Sequence, residues 1–169
     1  MNNKRNRNES VEHWVRRIEF QWDVAKRVEW IMELKNIDQK ELVRRCRKKK
    51  SCISRFLSGD VNASGFYLQE VAMGLEVFLF DMIDLEKKDE LFEVCKRRLL
   101  KPNFMKRLNK RVKFLMREQE IIASKLAINC GKTESDISRF LRGKKNSSGF
   151  YLLEIAEGLG VSLWVLMEI

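Results

Sequence analysis

Two arginines set in the same pentapeptide carry the clearest chemistry in this chain. Arg55 lies in Ile53-Ser54-Arg55-Phe56-Leu57 and Arg139 in Ile137-Ser138-Arg139-Phe140-Leu141. Hydroxyls and cations gather around each: Arg44, Lys48, Lys49, Lys50, Ser51 and Ser54 near the first, and Thr133, Ser135, Ser138, Arg142, Lys144 and Lys145 near the second. A guanidinium is a planar fork of donors and an ammonium a compact point charge. Such sets suit the binding of anionic or acceptor-rich surfaces. Covalent chemistry finds no footing. There is one histidine, His13, with no nucleophile motif, phosphate loop or metal-spaced cluster around it. The serines are accounted for by helix caps and by a helix surface. The sequence therefore predicts a binding protein, not an enzyme, with no cofactor and no metal.

Charge points the same way. The net charge is +10, with 16 basic against 13 acidic residues in 1–84 and 18 against 11 in 85–169. An excess of this size suits a polyanion such as nucleic acid, although a generic basic surface gives the same count. The four cysteines, Cys46, Cys52, Cys95 and Cys130, include no C-x-x-C pair. Cys46 and Cys130 fall on apolar helix faces and read as buried thiols. The basic start leads into a charged helix, unlike a signal peptide, and no apolar run approaches membrane-spanning length. A soluble cytoplasmic protein that makes no membrane contact is expected.

The elements that position these residues come in duplicate. Ser64-Gly65-Phe66-Tyr67-Leu68 returns as Ser148-Gly149-Phe150-Tyr151-Leu152, at the same offset of 84 that separates the two arginines. The register extends from Phe20/Phe104 to Leu79/Leu163. A repeat of that length is a whole small domain, near the lower size limit for independent folding. The predicted organisation is a tail and helical extension over 1–19, a first domain over 20–84, a linking helix over 85–102 and a second domain over 103–169. Residues 1–9 are expected to be disordered.

Periodicity predicts helix throughout. Ser10 caps a long helix to about Leu34, with a core stripe of Phe20, Val24, Val28 and Ile31 that returns as Phe104, Leu108, Val112 and Leu115. Short helices follow at about Gln39–Cys46 and Ile122–Cys130. Gly131 ends the latter in left-handed conformation, and Thr133 with Asp136 resembles a capping box for the next helix. That helix is expected to bury Ile137, Phe140 and Leu141 and to expose Ser135, Ser138, Arg139 and Arg142. Gly143 stops it, and the basic loop Lys144-Lys145-Asn146 leads to a fourth helix capped by Ser148. A fifth helix begins near Val161. Phe56, Leu57, Phe66 and Leu68, kept in both copies, read as core. Tyr67 and Tyr151 can either touch phosphate or cap the core. Between the copies, Leu91, Val94, Cys95 and Leu99 form a helical stripe that Pro102 ends.

Leu126-Ala127, Gly131, Ile137-Ser138-Arg139, Gly143, Ile155-Ala156 and Leu159-Gly160-Val161-Ser162 together resemble the phage repressor/Cro type of helix-turn-helix domain over about 60 residues. The first copy is similar through Asp38-Gln39-Lys40-Glu41-Leu42-Val43, Ile53-Ser54-Arg55, Gly59 and Leu75. The resemblance implies an all-α fold of two tandem five-helix lambda-repressor-like domains. It implies a transcription regulator, bacterial or from a phage or other mobile element and nucleoid-associated, whose third helices enter the DNA major groove. Arg55 and Arg139 would fork onto guanine, and Ser51, Ser54, Ser135 and Ser138 would reach base edges. Arg44, Lys48, Lys49, Lys50, Arg142, Lys144, Lys145 and Asn146 would hold phosphates, and the helix start at Gln39 would offer backbone N–H groups to one. Thr133 and Glu134 complete the second surface.

The copies depart from each other at the corner. Arg47 stands where the second copy has Gly131, so a different turn is expected there. Lys49 stands in place of Thr133. Glu134 and Asp136 repel phosphate but can accept from cytosine N4. The first copy reads as the stronger electrostatic anchor. A rival reading makes the chain an adaptor or inhibitor that binds a protein or structured RNA, because a fold alone does not decide function. A homodimer or protein contact would then run through the Trp-rich N-terminal helix or the linking helix.

Overall fold

The computed structural model describes residues 10–83, 85 and 103–167. The expectations for the tail 1–9 and for most of the linking segment 85–102 lie outside these residues. Ten helices form the regular structure among the described residues: α1 (Val11–Leu34), α2 (Gln39–Cys46), α3 (Lys50–Leu57), α4 (Gly65–Leu75), α5 (Leu79–Ile83), α6 (Phe104–Glu118), α7 (Ala123–Asn129), α8 (Glu134–Leu141), α9 (Gly149–Gly158) and α10 (Leu163–Met167). The chain divides into two compact units. The first takes the residues up to Ala63 and those from Tyr67 through α5; the second takes Ser64–Phe66 and α6–α10.

In the first unit, α1 begins where Ser10 Oγ accepts from the His13 backbone N–H at 3.2 Å. No Gly or Pro interrupts the next 24 residues, so the helix runs on until Asn36 turns left-handed at φ 51°. Its predicted stripe, Phe20, Val24, Val28 and Ile31, is buried. The stripe packs toward α3 and α5, and Leu42, Ile53, Phe56, Leu68, Val71 and Met82 are buried in the same unit.

The second unit repeats this core 84 residues on. Leu108, Val112, Leu126, Ile137, Phe140, Leu152, Ile155 and Leu166 are all buried. One polar tie is repeated as well. Arg27 on α1 donates from Nε to the Asp81 carbonyl at 2.8 Å and stacks on Trp30 at 4.3 Å. Arg111 on α6 donates to the Val165 carbonyl at 3.2 Å and lies 5.7 Å from the Phe114 ring. In each unit a first-helix arginine thus satisfies a carbonyl of the fifth helix, where a short final helix leaves acceptors open.

Three packing expectations are corrected. Phe66 is 49% exposed, while its equivalent Phe150 is buried. Phe66 heads a strip with Gln69, Glu70 and Met73 that is half-exposed along its length. Leu57 and Leu141 are also only half-buried, because they sit at the last turn of their helices.

Candidate nucleic-acid interface

The candidate surface is built on α2 and α3 in the first unit and on α7 and α8 in the second. Asp38 starts α2, its carboxylate accepting from the Glu41 backbone N–H at 2.6 Å. At the far end Arg47 takes φ 52° and ψ 38°, and Lys48 N donates to the Val43 carbonyl at 3.2 Å. Gly131 in the second unit takes φ 60°, with Lys132 N bonded to the Ala127 carbonyl at 2.8 Å. The two corners are therefore alike, and the expected difference at Arg47 is corrected. Closing this turn requires the left-handed conformation, and Arg47 adopts it at a cost of about 1 kcal/mol relative to glycine.

The next helix in each unit is anchored by two buried residues, Ile53 and Phe56 on α3 and Ile137 and Phe140 on α8. Phe56 meets the Tyr67 ring at 5.4 Å and Phe140 meets Tyr151 at 5.6 Å, both tilted. Anchoring one face leaves the other outward. Lys49, Lys50, Ser51, Ser54 and Arg55 are exposed on α3 and its cap. Thr133, Glu134, Ser135, Arg139, Arg142, Lys144 and Asn146 are exposed on α8 and its flanks, with Ser138 half-buried. Gln39 is half-buried at the start of α2.

The helix starts differ. Thr133 Oγ1 accepts from the Asp136 backbone N–H at 3.2 Å, whereas Lys49 holds the same extended backbone without a side-chain cap. The expected capping box is half formed, because the Asp136 carboxylate turns to Lys145 Nζ at 3.1 Å.

Several cations around this surface are engaged within their own unit. Lys48 Nζ lies 2.6 Å from Glu70 Oε2 and 5.5 Å from the Tyr67 ring centre. Lys132 Nζ lies 2.6 Å from Glu154 Oε1 and 5.8 Å from the Tyr151 ring. Lys145 crosses the Tyr151 ring at 4.1 Å on its way to Asp136. Arg44 clasps Glu41 in two hydrogen bonds of 2.7 and 2.6 Å, and Arg45 adds a third at 2.6 Å. Hydrogen bonds from Arg44 and then Arg45 hold the Glu41 carboxyl down to about 2.

The tyrosines lean toward core roles. Tyr151 is buried and Tyr67 half-buried, and burial raises both phenols above their ordinary range. Burial likewise pushes the Cys46 and Cys130 thiols up to about 11. A Cβ added at Gly74 or Gly158 would collide with the sulfur of Cys46 or Cys130 respectively. These glycines let the second and fourth helices close on each other, which buries the thiols.

Sequence reading alone missed the Lys–Glu pairs, although a signal was present: Lys48/Lys132 and Glu70/Glu154 recur at the repeat offset. It also gave no weight to Cys52, which is exposed on α3 where Asp136 stands in the other copy. Among the described residues no group of His, Cys, Asp and Glu could hold a metal ion, and no helix is long and apolar enough to cross a membrane. No protein-family model, curated protein or solved structure matches the chain.

Proposed function

We propose that this chain is a sequence-specific double-stranded DNA-binding transcription regulator. In this reading it consists of two helix-turn-helix domains of the phage repressor/Cro type, fused as a covalent pseudo-dimer that reads two unequal half-sites. One observation carries the proposal. The same short helix occurs twice, anchored by buried Ile and Phe and preceded by a left-handed corner, and it holds out the same Ser-Arg pair, Ser54-Arg55 and Ser138-Arg139.

The physics of recognition supports the reading. A helix presenting arginine and serine fits the width of the major groove, where guanine offers two acceptors to one guanidinium. The exposed cations Arg47, Lys49 and Lys50 stand beside the head of α3, placed to meet flanking phosphates. Lys48 and Lys132 are assigned to holding the corner against the fourth helix. The test is selection from random duplex DNA by the purified chain in the presence of RNA competitor. Enrichment of a defined sequence supports the proposal, and retention indifferent to sequence or displacement by RNA defeats it.

A second reading rests on a specific observation. Ile122, which precedes α7, and Ile128 on α7 are 68% and 73% exposed, where the first unit has Asp38 and Arg44. Apolar groups at that surface fit a protein partner better than phosphate. Under this reading the chain is an adaptor or inhibitor, and it would select no DNA sequence.

A further inference from the structure

The two candidate surfaces carry opposite charge gradients along their third helices. Residues 44–50, before and into α3, hold six cations and no acid, and residues 58–63 after it hold one acid, Asp60, and no cation. The equivalent stretches of the second copy reverse this. Residues 128–134 hold Lys132 and Glu134, and residues 142–147 hold Arg142, Lys144 and Lys145.

Internal pairing leaves the reversal in place. With Arg44 and Arg45 on Glu41 and Lys48 on Glu70, the first unit keeps Arg47, Lys49 and Lys50 at the head of α3. With Lys132 on Glu154 and Lys145 on Asp136, the second keeps Glu134 at the head of α8 and Arg142 and Lys144 beyond its end.

The helix ends reinforce it. A helix N-terminus attracts anions through its free N–H groups and dipole. The first turn of α3 contains no acid, so that attraction is open to an external phosphate. The first turn of α8 contains Glu134 and Asp136, so the chain supplies the anion itself. The position matching Arg44 is the exposed Ile128, which offers a phosphate nothing.

We infer that the second unit grips the DNA backbone from the end of its third helix opposite to the end the first unit uses, through Arg142 and Lys144, with Glu134 held away from phosphate. This rests on the DNA-binding reading above. An eight-residue helix is about 12 Å long, comparable to the width of the major groove. Cations confined to one end therefore reach the phosphates of one groove wall only.

The test is the salt dependence of binding to one selected duplex by fluorescence anisotropy. It compares the intact chain with Lys49→Ala/Lys50→Ala, Arg142→Ala/Lys144→Ala and Glu134→Lys, all changes at exposed positions. Each lost phosphate contact flattens the log–log slope by about 0.9. Both double variants should flatten it by one to two units, and Glu134→Lys should leave it unchanged. If Lys49→Ala/Lys50→Ala flattens the slope while Arg142→Ala/Lys144→Ala does not, or if Glu134→Lys steepens it by about one unit, the inference falls and the DNA-binding reading survives. If the intact chain shows no salt-dependent duplex binding, both fall.

Discussion

Lys132 Nζ and Glu154 Oε1 stand 2.6 Å apart, linking the corner after α7 to the middle of α9. Their side chains are only 15% and 7% exposed, against 25% and 27% for the matching pair of Lys48 and Glu70. The more buried pair has more to lose, because removing one partner strands a charge away from water. Lys132→Ala should destabilise the chain by about 2 kcal/mol and Lys48→Ala by less than about 1 kcal/mol, as read from urea unfolding. Equal effects would deny that burial sets the difference.

The corner residue provides a paired test. Arg47 and Gly131 share left-handed backbone, and a Cβ at Gly131 would meet nothing within 4 Å. Gly131→Ala therefore isolates the backbone penalty and should cost about 1 kcal/mol. Arg47→Gly should relieve the same strain, partly offset by a more flexible unfolded chain, for a gain of up to about 1 kcal/mol. Thermal unfolding of both variants checks the opposite signs.

How far the residues foretold this architecture depended on the range of the interaction. The caps at Ser10, Thr133 and Ser148 follow from local hydrogen bonding between residues three apart, and all three form as the sequence predicts. The core stripes follow from helical period, and the offset of 84 transfers each to its twin. The ion pairs could not be read in that way. Lys48 reaches Glu70 and Lys132 reaches Glu154 across 22 residues, a meeting set by how the helices pack and not by any local pattern. Arg47 misled for a related reason, since local preference argued against the turn while burial of Leu42, Ile53 and Phe56 on either side of it overrode that preference. On the outer surface, Arg55 and Arg139 stood out only because they recur.

Thiol reactivity should separate the three described cysteines. Cys52 is exposed, whereas Cys46 and Cys130 are buried with thiols pushed up to about 11. Alkylation at pH 8 should label Cys52 in the native chain and reach Cys46 and Cys130 only on unfolding, because the thiolate is the reacting species. Mass spectrometry of peptides from briefly treated protein reads this directly. Native labelling of Cys130 at the rate of Cys52 would contradict the packing of Gly158 on its sulfur.

Acid sensitivity should reveal the Glu41 cluster. Its folded pKa, about 2, lies below the ordinary 4.5, so its contribution to stability is present above pH 4.5 and is lost as pH falls toward 2. Glu41→Gln should flatten the stability profile within that window and leave its shape above pH 5 unchanged. Freed from the carboxylate, Arg44 and Arg45 should also bind a polyanion more tightly at neutral pH. Denaturation midpoints between pH 2 and 6 test the first effect, and heparin-column retention tests the second.

The central claim is that one chain reads DNA with two unlike surfaces, through Arg55 in one repeat and Arg139 in the other. Its most direct measurement is a footprint on a selected duplex for the intact chain, Arg55→Ala and Arg139→Ala. The account predicts two protected half-sites of different sequence. Each substitution should cost about 1–3 kcal/mol and relax base preference in one half-site only, a different one for each arginine. A single short footprint, or a loss spread evenly over all sequences for both variants, would contradict it.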